Sequence, residues 1–323
     1  MISADRISRR FGDRLAVEDV SFDVRPGEVF GLLGPNGAGK TTTLRMLGGL
    51  ILPTSGSVRI GGQPFTRATG GALRARIGFL TETPGLWDQL SVEDNLHVYA
   101  RLFAVAAPRL AVERVLRMLE LWDRRSDSVA LLSKGVKQKL ALGRALVHDP
   151  KVILLDEPTA NLDPQTSRTV RELLRTLRGE GRAIVVSTHN LDEAERMADR
   201  VALVSGRLIA VGQPAVLRRE VFGRRLRVRL LASARPLADF VDIAARAGAH
   251  DVRLEGSGSR DHGTGISAHG AELSLVLESP DADTPGIVRA LVDGGAEVRA
   301  VFDEEPALEE VYLKLLARGA SKA

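Results

Sequence analysis

The chain has 323 residues, no cysteine and a formal net charge of +4. That length suits one large domain with a smaller companion, or two domains, and it buries a core without staples. The absence of cysteine excludes disulfides and thiolate metal sites, and a hydrophobic content of 44% excludes a disordered chain. Arg supplies 38 of the 45 basic residues, but these are spread along the whole sequence among 41 acids, so charge alone settles nothing about a nucleic-acid surface. Met1 to Arg6 lacks the apolar core of a signal peptide, and no apolar run approaches the ~20 residues of a membrane-spanning helix. The expectation is a soluble protein, or one held on a membrane through a partner.

Taken in order, residues up to about 215 alternate between strands and helices. Glu28 to Leu33 is a short apolar run that ends in a Gly-rich turn, and a helix follows from Lys40 to Leu50. Ser91 to Phe103 and Leu110 to Leu121 read as two helices split near Pro108, with a third from Gly135 to Val147. Three successive helices interrupt the rhythm and suggest an inserted helical subdomain. Val152 to Leu155 and Ala183 to Ser187 have the length and unbroken apolarity of buried parallel strands. Between them Val170, Leu173, Leu174 and Leu177 repeat at helical spacing, behind Asp163 and Pro164 as N-cap and first-turn residues. Strand, helix, strand predicts an α/β fold with a parallel sheet.

After Gly212 the pattern changes. The stretch around Arg224, Arg225, Arg227 and Arg229 alternates as a strand, Pro236 to Ala247 reads as a helix, and Gly256 to Gly270 reads as a mobile loop rich in Gly, Ser and His. Strands over Glu272 to Glu278 and Ala296 to Phe302, with helices over Pro285 to Asp293 and Pro306 to Leu316, complete a small α+β domain. The division expected is residues 1–220 and 221–323.

The chemistry starts at Gly34-Pro35-Asn36-Gly37-Ala38-Gly39-Lys40-Thr41, which fits G-x-x-x-x-G-K-[ST] between a strand and a helix. Glycines let backbone N–H groups turn inward around phosphates, and the helix N-terminus adds a positive dipole end. Lys40 is placed for the β- and γ-phosphates, and Thr41 offers its hydroxyl to Mg²⁺. Asp156 and Glu157 end an apolar strand, Asp156 as a candidate Mg²⁺ holder and Glu157 to orient or deprotonate the attacking water. His189 follows another buried strand on the same side of the sheet, which suits a γ-phosphate contact. Ser133 reads either as a plain helix N-cap or as part of a second anion site with Gly135 at that helix N-terminus.

These elements, in this order, resemble the nucleotide-binding subunit of ABC transporters over about residues 1 to 215. Gly34 to Thr42 is similar to the family's Walker A, Ile153 to Glu157 to Walker B, Leu132 to Val136 to the signature motif, Asn161-Leu162-Asp163 to the D-loop, and His189 to the switch histidine. The resemblance implies a P-loop NTPase fold with a helical subdomain, and ATP hydrolysis with Glu157 as the catalytic glutamate. It also implies adenine stacking on Phe11 and a homodimer in which each ATP lies between one Walker A and the other chain's Ser133 and Gly135. Glu82 stands where the Q-loop has Gln and is a candidate Mg²⁺ ligand. Lys134 and Val136 also depart from the usual Leu-Ser-Gly-Gly-Gln. The departures, and the tail from Asp303 to Tyr312, resemble the branch whose permeases are of the ABC-2 type, many of them drug and antibiotic exporters. That implies a separate membrane permease, a place on the cytoplasmic face of the membrane, and no nucleic-acid partner. A soluble ATPase of the family acting on ribosomes or DNA is the alternative; such members carry two ATPase domains or long coiled coils, and this chain has neither.

Overall fold

The computed structural model describes residues 1–231, 236–256, 271–277 and 280–320. The chain forms two compact units, Met1–Pro214 and Ala215–Arg318. In the first, the strands are β1 (Ile2–Phe11), β2 (Arg14–Val24), β3 (Val29–Leu33), β4 (Ser55–Ile60), β5 (Gln63–Pro64), β6 (Ile77–Leu80), β7 (Val152–Asp156), β8 (Ala183–Thr188), β9 (Arg200–Ser205) and β10 (Arg207–Gly212). The helices are α1 (Lys40–Leu47), α2 (Gly70–Arg74), α3 (Val92–Leu102), α4 (Pro108–Met118), α5 (Lys134–Leu146), α6 (Pro164–Gly179) and α7 (Leu191–Met197).

The sheet order is β5-β4-β1-β2-β10-β9-β3-β8-β7-β6. Strands β6, β7, β8, β3 and β9 pair in parallel. Every residue of β3, β7 and β8 is buried, because helices cover both faces of this half. Alternate residues feed opposite cores. Phe30, Leu32, Val152, Leu154 and Val185 pack with Leu44 and Leu47 of α1 on one face. Ile153, Leu155, Ile184 and Val186 pack with Leu140 of α5 and Leu174 of α6 on the other. The three inserted helices α3, α4 and α5 extend that second core through Leu96, Val115 and Leu116.

The other half of the sheet is antiparallel apart from one parallel bridge, Arg207 to Glu18, between β10 and β2, and sequence reading did not foresee it. β1 pairs with β2 on one edge and β4 on the other, with register shifts after Ala4 and Ile7 on one side and after Asp5 on the other. Arg6 and Asp19 take positive φ at these irregularities. Bulges insert residues out of step, so Ile2, Ala4 and Ile7 are buried without a clean alternation of polar and apolar residues.

In the second unit β11 (Arg224–Leu230), α9 (Leu237–Arg246), β12 (His250–Gly256), β13 (Ala271–Leu277), α10 (Pro280–Asp293) and β14 (Val298–Glu304) follow α8 (Pro214–Phe222) and precede α11 (Leu308–Ala320). The sheet order β12-β13-β11-β14, all antiparallel, is the split β-α-β arrangement of ferredoxin-like folds. Leu226, Val228 and Leu230 of β11 face a core shared with Phe240, Leu273, Leu275, Ile287 and Leu291. The alternating basic residues Arg225, Arg227 and Arg229 occupy the other face: Arg225 meets Asp251 at 3.3 Å, Arg227 bonds Glu304, and the Arg229 guanidinium lies 5.6 Å from the Phe302 ring centroid. Helix α8 is tied to the α11 segment twice: Arg218 Nε donates to Pro306 O, just before α11, at 2.7 Å, and Arg318 Nη2 of α11 donates to Val221 O at 3.3 Å. The expected mobile loop, apart from Gly256, lies outside the described residues.

One buried titratable group at the end of α5 makes stability depend on pH. The His148 ring stacks on Phe103 with centroids 3.8 Å apart, and its Nε2 lies 3.1 Å from Ile77 O, while Nδ1 is buried with no partner. Burial holds its pKa below the ordinary histidine value, helped by Arg182 and opposed by Ile77 O and Asp149. A depressed folded-state pKa means that the unfolded chain takes up the proton first, so stability is full above about pH 6.5 and falls as the pH drops through the folded value. The thermal midpoint should therefore drop between pH 7.5 and 5.5, and His148→Gln should show a shallower drop; parallel curves for the two proteins would contradict this account.

Candidate functional site

The loop between β3 and α1 is built around residues that only glycine fits. Gly37 and Gly39 take φ of +84° and +91°. A Cβ on Gly34 would sit 2.2 Å from Val204 O, and one on Gly39 would sit 2.6 Å from Ala16 O. The backbone therefore turns tightly, packed against β9 and β2, and delivers Lys40 to the first position of α1. Lys40 is only 6% exposed. Its Nζ donates to Gly34 O at 2.7 Å and Pro35 O at 3.1 Å, and lies 3.8 Å from Glu157 Oε1. Burial pushes its pKa below the ordinary lysine value, against the opposing pull of Glu157, Asp156 and Glu82. Three carboxylates thus act on one buried ammonium, two from the end of β7 and one from the segment after β6.

Asp156 and Glu157 come off the end of β7. Asp156 is 2% exposed and accepts a hydrogen bond from Ser187 of β8. Glu157 takes φ +50°, an αL conformation that costs a non-glycine residue about 1–2 kcal/mol. Its backbone N–H donates to Ser187 O at 3.1 Å. This turn aims the carboxylate across the sheet, where Oε1 meets His189 Nδ1 at 2.9 Å and accepts from the His189 backbone N–H at 3.1 Å. The Glu157 side chain is 12% exposed and the His189 side chain 53%. A nearly buried carboxylate thus stands between a buried lysine and a solvent-facing imidazole.

Together these groups wall a cleft of about 680 Å³. Asn36, Gly37, Ala38, Gly39, Lys40, Thr41, Thr42, Glu82, Glu157, His189 and Phe11 all line it. Gly34 and Pro35 lie behind the loop and hold Lys40 through their carbonyls. Asp156 lies under the cleft rather than on its wall. The Phe11 ring is 46% exposed at the cleft edge, backed by the Arg9 guanidinium 4.6 Å from its centroid. The donors that converge here, a Thr hydroxyl and carboxylates, are hard oxygens of the kind Mg²⁺ takes. The glycine cradle and a charged lysine suit a polyphosphate.

Sequence reading missed Arg14, Ala16 and Ala160, which also line the cleft. Arg14 and Ala16 are there because Phe11 pairs with Arg14 across a two-residue hairpin, Gly12-Asp13. That Gly-Asp pair was the available signal.

Ser133 and Gly135 do not reach this cleft. They open α5, where Ser133 Oγ accepts from Val136 N at 3.4 Å. A Cβ on Gly135 would meet Thr166 Oγ1 at 3.1 Å, so this helix start packs closely on the start of α6, which Asp163 caps through Thr166. Two helix N-termini therefore lie side by side, apart from the phosphate loop. Val136 packs partly buried against the core of the helical insert. Gln138, one turn into α5, is buried and donates to Pro158 O at 3.0 Å, which ties α5 to the residue after Glu157.

Residues 17–160 match the ABC transporter family profile. The chain is 43% identical over 321 residues to the Nod factor export ATP-binding protein I of Burkholderia pseudomallei strain K96243, covering 98% of this chain and 97% of that protein. Among solved structures it is similar to cbiO1 from Clostridium perfringens, part of the ABC transporter complex cbiONQ. The TM-score there is 0.62 at 29% identity, over 68% of this chain and 90% of that one. It is also similar to a dimeric post-hydrolysis state of the ATP-binding cassette MJ0796 bound to ADP and Pi. The TM-score is 0.60 at 26% identity, over 66% of this chain and 98% of that one. The chain therefore belongs to the ABC transporter family, as an ATP-binding subunit that hydrolyses ATP.

Proposed function

We propose that this chain powers export through a separate ABC-2 type permease, as a homodimer with two shared ATP sites. The observation that carries the reading is a separation within one chain. The phosphate loop, Glu157 and His189 share a cleft, while Ser133 and Gly135 open a helix elsewhere. A second copy supplies what the cleft lacks. Glycine-loop N–H groups and Lys40 hold the β- and γ-phosphates, Phe11 stacks on the adenine, and Ser133 and Gly135 of the second copy cap the γ-phosphate. Glu157 takes the proton of the attacking water, and His189 holds Glu157 and the γ-phosphate in register. Thr41 and Glu82, with Asp156 acting directly or through water, would hold Mg²⁺, which supplies neutralisation of phosphate charge. Charge drives closure, because the bound phosphates bridge two surfaces that have no comparable attraction without them.

Export as the direction is supported by the similarity to relatives named for Nod factor export, and a drug, antibiotic or lipid-like cargo by the resemblance of the signature and tail to the ABC-2 branch. Among the described residues no helix is long and apolar enough to cross a membrane, so the route for cargo belongs to the permease. A mainly apolar groove of about 400 Å³, lined by Leu50, Phe79, Tyr99 and Phe103 among others, runs between the β-core and the helical insert. It is the surface offered to the permease, and docking there holds the dimer at the cytoplasmic face of the membrane.

Glu157→Gln should keep ATP affinity, lower turnover by about 10²–10⁴ and accumulate an ATP-bound dimer in gel filtration; turnover near wild type would remove Glu157 from the chemistry. Leu50 is 53% exposed at the groove. Leu50→Glu should leave the basal ATPase rate of the isolated subunit intact and abolish co-purification with the permease; retained co-purification would move the docking surface elsewhere.

A further inference from the structure

Glu82 reaches the cleft on a turn with little regular structure of its own. β6 ends at Leu80 and α3 starts at Val92, capped by Ser91. Inside the turn, Thr81 Oγ1 donates to Thr83 O at 2.6 Å. Farther along, Asn95 of α3, fully buried, fastens Trp87 twice, accepting from its N–H at 2.9 Å and donating to its O at 3.0 Å. The far end of the turn is therefore fixed to the helical insert, and the near end to the β-core. Glu82 lies between the two bodies.

One side chain holds the chain on both sides of Glu82. Arg144, half-buried on α5, donates through Nη2 to Phe79 O at 3.4 Å and through Nη1 to Gly85 O at 3.2 Å. Nη1 also reaches Tyr99 Oη at 3.4 Å, and the guanidinium lies 5.2 Å from the Tyr99 ring centroid. Tyr99 in turn donates to Gly85 O at 3.3 Å. Gly85 takes φ +59°, and a Cβ there would sit 2.6 Å from Arg144 Nη1. The turn thus keeps a glycine where the guanidinium comes closest. Each bond is modest, but a planar fork with fixed donors holds two carbonyls at a set spacing, which an ammonium does not do.

We infer that Arg144 is a positioning residue for Glu82: its guanidinium clasps the chain on both sides of the carboxylate, at Phe79 O and Gly85 O, and passes any displacement of α5 to it. Ser133 and Gly135 sit at the start of the same helix, 11 and 9 residues, or about 14–17 Å, from Arg144. A helix moves as a rod, so engagement of its N-terminus by a second copy's nucleotide reaches Phe79 O and Gly85 O through the fork. The inference rests on the reading of Glu82 as a cleft carboxylate that holds Mg²⁺.

Arg144→Lys tests it, with Glu82→Ala and the double variant completing a cycle. Arg144→Lys should lower kcat about 10- to 100-fold, as a misplacement near 1 Å does, with KM for ATP and the thermal midpoint little changed. Adding it to Glu82→Ala should cost nothing more. Tyr99→Phe, which removes the hydroxyl's bonds with Gly85 O and Arg144 Nη1 but leaves both guanidinium–carbonyl bonds, should shift kcat the same way by less. Trp87, whose ring is 5.2 Å from Tyr99, gives a readout apart from turnover. In a Trp122→Phe background its emission should change when Mg²⁺ is added to the ATP-bound protein, and Arg144→Lys should suppress that change. Losses that multiply in the double variant, an unaltered kcat in Arg144→Lys, or an unaltered Trp87 response would overturn the inference. If Glu82→Ala alone keeps wild-type kcat and Mg²⁺ dependence, the reading of Glu82 fails, and an Arg144→Lys loss against that background assigns Arg144 another task and overturns the clasp as well.

Discussion

A buried lysine beneath a glycine turn sets the geometry on which the rest of the first unit depends. An ammonium that is 6% exposed has to be compensated on every side. The carbonyls of Gly34 and Pro35 do part of this from within the loop, and Glu157 does part from the end of β7, two strands away. For those partners to converge, β3, β7 and β8 must end at the same level of a parallel sheet. Each of the three is buried throughout, and alternate side chains lock into opposite cores. The sheet register therefore decides where the charges stand. A shift of one residue in β7 would turn Asp156 and Glu157 to the wrong faces.

The same constraint explains the strain at Glu157. Its φ of +50° is unfavourable for a side chain, yet it points the carboxylate at His189 and Lys40 while Asp156 stays below on Ser187. Two adjacent acids thus serve different surroundings, one buried on a hydroxyl and one in the cleft. Gln138 extends the arrangement to α5, through Pro158 O. Helix α5 consequently touches the chain just after Glu157, carries Ser133 and Gly135 at its start, and holds Arg144 farther along. These links give a physical route by which a surface outside the cleft bears on the groups inside it.

Much of this was legible in the sequence because the parallel half of the sheet is written in unbroken apolar runs. Glu28 to Leu33, Val152 to Leu155 and Ala183 to Ser187 gave β3, β7 and β8 nearly to the residue. Ser133 and Asp163 stand at the helix starts where their N-cap chemistry put them. Helix α4 begins at Pro108 itself, because proline fits the first helical turn; reading it as a separator put the start two residues late. The antiparallel half was hidden by bulges in β1, which scramble a period of two. Arg14 and Ala16 stayed invisible as cleft residues because the hairpin that brings them beside Phe11 was not read. Arg144 and Asn95 had no signal, since most of their partners are backbone groups, and a backbone contact leaves no trace in residue type.

The central claim is that each ATP site is shared between two copies, and complementation of two defective chains measures it most directly. A chain with Lys40→Ala and a chain with Ser133→Arg are each inactive, since each spoils both sites of its own dimer. Mixed, they form heterodimers in which one site carries both defects and the other carries none. With half of the dimers mixed and one site intact in each, the account predicts recovery to about a quarter of the wild-type ATPase rate. A mixture as inactive as either chain alone, with heterodimers demonstrably present, would contradict it.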